Sequence, residues 1–206
     1  MFYNIATLFS NRFYYYLRLN KTQYIRPMKI TAFAGSNSSH SINRQLVRFA
    51  LRYFPEAEVN LLDLNDYEMP IFSIDREEEG YPPQAEKFID QMTDADIIIC
   101  SISENNRTYS AAFKNVFDWC SRIDMNIFKN KPMLLMTTSP GGYGGGNVMN
   151  AAKNFFPACG AEIKETFSLP RFYANFDEEK GITNNELLQD FETIINKFKE
   201  QTNNSL

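Results

Sequence analysis

Lys29-Ile-Thr-Ala-Phe-Ala34, followed by Gly35-Ser-Asn-Ser-Ser-His-Ser-Ile-Asn43, is the stretch on which the fold turns. The first six residues form an apolar run of strand length. From Ile42 onward, Leu46, Phe49, Ala50 and Tyr53 recur at helical spacing. The segment therefore reads as strand, polar loop and helix. Four serines, two asparagines and a glycine fall within the nine residues 35–43. Such a loop gathers backbone N–H groups and side-chain donors at a helix N-terminus, where the dipole favours an anion. A phosphate is the natural guest; an ordinary strand-to-helix turn with an N-cap serine is the competing reading.

Outward from this stretch the pattern alternates. Ala57–Leu64 reads as a second strand, followed by a loop marked by Met69-Pro70 and the acidic run Asp75–Glu79. Pro82-Pro83 opens a helix whose face is Ala85, Phe88, Ile89 and Met92. Ile97–Ile102 is apolar without alternation, as expected of a parallel strand covered on both sides. A helix carrying Ala112, Phe113, Val116, Phe117 and Cys120 follows, then the buried strand Pro132–Thr138 and the glycine-rich loop Ser139–Gly146. A helix over about Val148–Cys159, a short strand Glu162–Phe167 and a last amphipathic helix through Leu187, Phe191, Ile195 and Phe198 complete the chain. Strands alternating with helices at these lengths predict one α/β domain with a doubly wound, mostly parallel sheet.

Residues 1–27 stand apart. They hold Arg12, Arg18, Lys21 and Arg26 with no acid, and many aromatic side chains. Their apolar runs are too short to span a bilayer, and no signal-peptide pattern is visible. We read them as a poorly ordered extension, with Met28 as the initiator and 28–206 as the domain; a weak amphipathic membrane contact is the minority reading. The chain carries −4 overall, but 17 bases against 25 acids give residues 28–206 a net −8, which argues against nucleic-acid binding. Cys100, Cys120 and Cys159 show no paired spacing and lie in apolar segments, which points to reduced, packed thiols in a cytoplasmic protein and no metal site.

In such a sheet, ligands sit beyond the carboxyl ends of the strands. Three polar loops occupy that position: 35–43, 103–110 and 139–147. The dinucleotide pattern G-x-G-x-x-G is missing, because Asn147 stands where the third glycine is required, and there is no Walker A lysine. A single-phosphate ligand held by the first loop and covered by the other two fits better, and FMN has that shape.

These loops carry a resemblance to the NADPH-dependent FMN reductase family of flavodoxin-like proteins, over about residues 28–200. The family's first loop, Gly-Ser-x-Arg-x-x-Ser-x-Asn, is matched by Gly35, Ser36, Ser41 and Asn43, with Ser38 in place of the arginine. Its second motif, Pro-Glu-Tyr-Asn-x-Ser-x-Pro followed by Leu-Lys-Asn-x-x-Asp-Trp, is matched at Glu104, Asn106, Lys114, Asn115, Asp118 and Trp119. Ser103 and Ser110 stand at the two prolines, and Asn105 at the tyrosine. Ser139–Gly146 resembles the family's small-residue segment beside the flavin.

The resemblance implies a flavodoxin-like, five-stranded parallel sheet of order 2-1-3-4-5 with helices on both faces. It implies FMN as cofactor, NADPH (or NADH) as hydride donor to flavin N5, a small-molecule electron acceptor, and a homodimer or homotetramer. Ser36, Ser38, Ser41, Ile42 and Asn43 would hold the phosphate. Glu104, Asn105, Asn106 and Arg107 would run along the ring, and Ser139, Gly141, Gly142, Tyr143 and Gly144 would let backbone approach it. No side chain is assigned as catalytic, and Trp119 and Phe117 read as core or subunit contacts. His40, the only histidine, reads as an exposed loop residue or an aid to the phosphate. The competing class is a flavodoxin-type electron carrier without NADPH oxidation, and a third is an interaction module that has lost FMN.

Overall fold

Ser41 caps the first helix as its position before an apolar-periodic run requires: its Oγ accepts the N–H of Arg44 at 3.2 Å. This helix, α1 (Ile42–Leu51), follows β1 (Lys29–Ala34) and leads to β2 (Glu58–Leu62). The structure, a computed structural model, describes residues 26–203; the rest of the N-terminal extension read from the sequence lies outside them. After β2 come a 3₁₀ turn (Leu64–Tyr67), a one-turn helix α2 (Ile74–Glu77) and α3 (Pro83–Asp94), which has proline at its first position, where the missing N–H costs nothing. Then follow β3 (Ile97–Asn105), the two-residue strand β4 (Thr108–Tyr109), α4 (Ala111–Ile123), β5 (Lys131–Thr138) and α5 (Gly146–Phe155). Beyond these lie β6 (Ala161–Leu169), α6 (Phe172–Asn175), a small hairpin of β7 (Phe176–Asp177) and β8 (Gly181–Ile182), and α7 (Asn185–Asn203).

The five long strands are parallel and run β2-β1-β3-β5-β6, the doubly wound order that the resemblance implies. Its sixth member, β4, pairs antiparallel with the end of β3 and was not foreseen. Alternation on β3 shows why its sequence is uniformly apolar. Ile97 and Ile99 pack with Leu46, Phe49, Phe191 and Phe198 of α1 and α7, while Ile98, Cys100 and Ile102 pack with Phe88, Phe113 and Val148 of α3, α4 and α5. Both faces are thus sealed, and burying each large side chain contributes roughly 1.5–3 kcal/mol. Among the described residues, no helix is long and apolar enough to cross a membrane.

Boundaries shift where the local chemistry was hard to read. The acidic run expected as loop contains α2, capped by the Ser73 hydroxyl on Arg76 N–H at 3.3 Å. The helix expected to reach Cys159 stops at Phe155 and tightens into a 3₁₀ turn over Phe156–Cys159, closed by Gly160 at φ 81°. The short strand expected at 162–167 is nine residues long.

Candidate functional site

All three polar loops lie beyond the carboxyl ends of β1, β3 and β5, and the central strand pairings bring them together. Gly35 anchors the first. Its N–H donates to Ser101 O at 2.9 Å, and its carbonyl accepts the hydroxyls of both Ser103 and Ser110, the latter at 2.7 Å. A Cβ on Gly35 would stand 3.1 Å from the Ile102 side chain and 3.3 Å from its Cα, so the loop leaves the sheet tight against β3.

From there the serines organise the loop. Ser36 Oγ accepts Ser38 N–H at 3.2 Å, Ser38 Oγ accepts His40 N–H at 3.3 Å, and Ser41 Oγ caps α1. Each hydroxyl oxygen is engaged as an acceptor, so its own proton is left to be given to an oxygen anion. By helix geometry the N–H groups of Ile42 and Asn43 have no intrahelical carbonyl. Asn43 is turned inward and 3% exposed: its Oδ1 accepts from Ser101 Oγ at 2.7 Å and Thr138 N at 3.2 Å, and its Nδ2 donates to Thr138 O at 3.4 Å. Its side chain ties α1 to β3 and β5, and what it presents outward is backbone.

Ser36, Ser38, Ser41, Ile42, Asn43, Glu104, Asn105 and Ser139 line one cleft with a cavity volume of about 200 Å³. The second loop is mostly hairpin. Glu104 pairs with Tyr109 and Asn105 with Thr108, leaving Asn106 and Arg107 at the tip with φ 50° and 67°. These two are exposed and do not line the cleft. The Glu104 carboxylate turns to α5, accepting Asn147 Nδ2 at 3.0 Å and Val148 N at 3.1 Å, an acid at the positive end of the helix dipole.

Gly141, Gly142, Tyr143 and Gly144 also lie outside the lining, and the loop's glycines divide into two kinds. Gly144 and Gly145 have φ 61° and 81°, and a Cβ on them would crowd Pro170 N at 3.1 Å and Thr137 Cβ at 3.0 Å. Those two are required by the fold. A Cβ on Gly141 or Gly142 would meet nothing nearer than 3.7 Å, so the fold alone does not require glycine there.

Sequence reasoning missed Ser103, Thr138, Pro140 and Tyr173, which also line the cleft. Tyr173, 75% exposed, is held there because Arg171 N donates to Gly141 O at 2.9 Å and Phe172 N to Ser139 O at 3.1 Å. Only the long-range docking of α6 on the glycine loop puts it in place, and no local pattern announces that. A larger cavity of about 400 Å³, between the 3₁₀ turn and α4, shares only Asn37 with the first loop and lacks its concentration of hydroxyls. Beside it, Asn115 and Trp119 are structural. Asn115 holds Phe72 N, Met69 O and Pro70 O, and Trp119 Nε1 donates to Pro70 O at 2.7 Å.

The sequence model of the NADPH-dependent FMN reductases matches residues 28–174, which include all three loops. The chain belongs to that family. Within it, the chain is 33% identical over 128 residues to an NADPH:quinone oxidoreductase of Arabidopsis thaliana, covering 59% of this chain and 63% of that one. It is 29% identical over 118 residues to an NAD(P)H-dependent FMN reductase of Pseudomonas aeruginosa, covering 57% of this chain and 63% of that one. These matches therefore span just under two thirds of the relatives' length. In structure, this FMN reductase family member resembles a flavoenzyme NAD(P)H:(acceptor) oxidoreductase from Paracoccus denitrificans at TM-score 0.68 and 22% identity, over 86% of this chain and 98% of that one. That likeness establishes the shared fold.

Proposed function

We propose that the protein is an NAD(P)H-dependent oxidoreductase that holds FMN in the three-loop cleft and delivers electrons to a small acceptor of the quinone or flavin class. The observation that carries this reading is the convergence of loop 36–43, the end of β3 and Ser139 on one cleft whose serine hydroxyls retain their protons for an anion. Ser36, Ser38 and Ser41, with the first N–H groups of α1, would hold the phosphate. Glu104 would act through its main chain, since its carboxylate is taken up by α5. Asn105, Gly141 and Gly142 would admit the edge of the ring. Gly141 and Gly142 support this best, because glycine there answers no steric demand of the fold.

Bound FMN supplies hydride acceptance at N5 and onward electron transfer; the chain supplies position and electrostatics. Its own residues have little acid–base work to do. Asn106, Arg107 and Tyr143 do not line the cleft but are exposed on the second and third loops, where a nicotinamide or acceptor would meet them. Residues 28–206 would act as one flavodoxin-like domain, in a cytoplasmic homodimer or homotetramer. The test is the absorption spectrum of the purified protein with the released cofactor identified, then aerobic NADPH oxidation. FMN with turnover supports an enzyme, and FMN without turnover would favour a flavodoxin-type carrier. A colourless protein that does not take up FMN would end the proposal.

A further inference from the structure

The cleft proposed for a phosphate is built almost entirely from neutral donors. Among the residues lining it, Glu104, Tyr173 and His40 have ionisable side chains, and only His40 is a base. Glu104, at the end of β3, is bonded to Asn147 and Val148 and belongs electrostatically to α5. Tyr173 enters from α6. Arg44, the nearest base along the chain, pairs with Asp63 and does not line the cleft. Arg171 lies beside Gly142, outside the lining.

His40 is placed by its own neighbours. Its N–H is held by Ser38 Oγ at 3.3 Å, and its ring Nδ1 lies 3.0 Å from Ser39 Oγ. With the backbone fixed and Nδ1 occupied, Nε2 is the ring atom left for a ligand. A dianion in a cleft of hydroxyls and N–H groups lacks a formal countercharge, and a charge-assisted bond is about twice as strong as a neutral one. We propose that His40 is the basic side chain that binds the phosphate, through Nε2. It thereby sets much of this chain's preference for a phosphorylated flavin over riboflavin. This rests on the FMN reading above and concerns one residue within it.

The experiment titrates the flavin-stripped full-length chain with FMN and with riboflavin, following flavin fluorescence, in the parent, His40→Ala and His40→Arg. The expected result is an FMN affinity about tenfold weaker in His40→Ala, with riboflavin binding unchanged and His40→Arg at least as tight as the parent. Because His40 is an exposed loop side chain, all three should share one circular dichroism spectrum and Tm. Equal FMN affinity in parent and His40→Ala, with FMN still preferred over riboflavin, would overturn the role of His40 and leave the FMN site standing. A parent that binds riboflavin as tightly as FMN would overturn the phosphate site itself.

Discussion

Ser110 donates its hydroxyl to the carbonyl oxygen of Gly35 at 2.7 Å, and Ser103 donates to the same oxygen. Both serines stand where the family motif has proline. The hairpin between them, β3 to β4, is thereby tied at both ends to the residue from which the first loop departs. Ser110 also caps α4, accepting Phe113 N–H at 3.1 Å. Replacing both with alanine leaves the Gly35 carbonyl without these donors and removes the cap. The double variant should lose about 2–4 kcal/mol of stability in urea unfolding, and FMN affinity should fall with it as the first loop loosens. Full affinity at reduced stability would show that the loop holds its shape without the hairpin.

Asn43 performs a second internal role that its place in a phosphate motif conceals. Three buried groups, Ser101 Oγ and the N–H and C=O of Thr138, depend on its amide. Asn43→Ala should destabilise the protein by about 1–3 kcal/mol, because those groups stay buried once their partner is gone. The urea midpoint checks this; an unchanged midpoint would mean that the three groups find other partners.

The architecture was legible because hydrophobic pattern and sheet geometry agree. Ile97–Ile102 has no polar face because helices cover both sides, and the order of the long strands follows. The first loop's serines were also readable, since strand, hydroxyl-rich loop and helix is a local signal. What escaped was set by contacts distant in sequence. Tyr173 reaches the cleft because α6 docks on the glycine loop. Asn106 and Arg107 leave it because residues 104–109 fold into a hairpin whose tight turn places both in left-handed backbone. Asn43 sits within the motif in sequence, while its amide belongs to the core. The split among the glycines, Gly144 and Gly145 demanded by packing and Gly141 and Gly142 not, is set by how closely Thr137 and Pro170 approach.

At the opposite end of the sheet, Arg26 clasps Asp96 through two bonds of 2.6 and 2.7 Å, and Lys29 N–H donates to the same carboxylate at 2.8 Å. Chiefly through the Arg26 guanidinium, the Asp96 carboxyl is held below its usual range, against the opposing effect of partial burial. A carboxylate whose folded pKa is depressed adds stability that is present above its unfolded value of about 3.9 and is lost as pH falls through the lower folded value. Asp96→Asn should therefore lower Tm modestly at pH 7 and flatten the decline of stability between pH 5 and 3. Arg26→Ala and a chain beginning at Met28 should match each other; a larger loss in the shortened chain would mean that residues before Arg26 also contribute.

The last prediction concerns how electrons pass. An open cleft that serves donor and acceptor in turn requires no covalent bond to the protein, so turnover should show ping-pong kinetics. The described chain offers three thiols, all buried. Burial pushes Cys100 and Cys159 upward and Cys120 up to about 12, so at neutral pH all three are protonated and poor nucleophiles. They pack on β3, on α4 and in the 3₁₀ turn after α5, so replacing them together with alanine should lower Tm through lost packing. It should leave the rate at which NADPH reduces bound FMN within about twofold of the parent, since no thiolate enters the step. Stopped-flow bleaching of the flavin absorbance at saturating NADPH measures that rate directly in the folded triple variant. Loss of bleaching with FMN still bound would place a thiol in the reaction and refute a site that works by position and electrostatics alone.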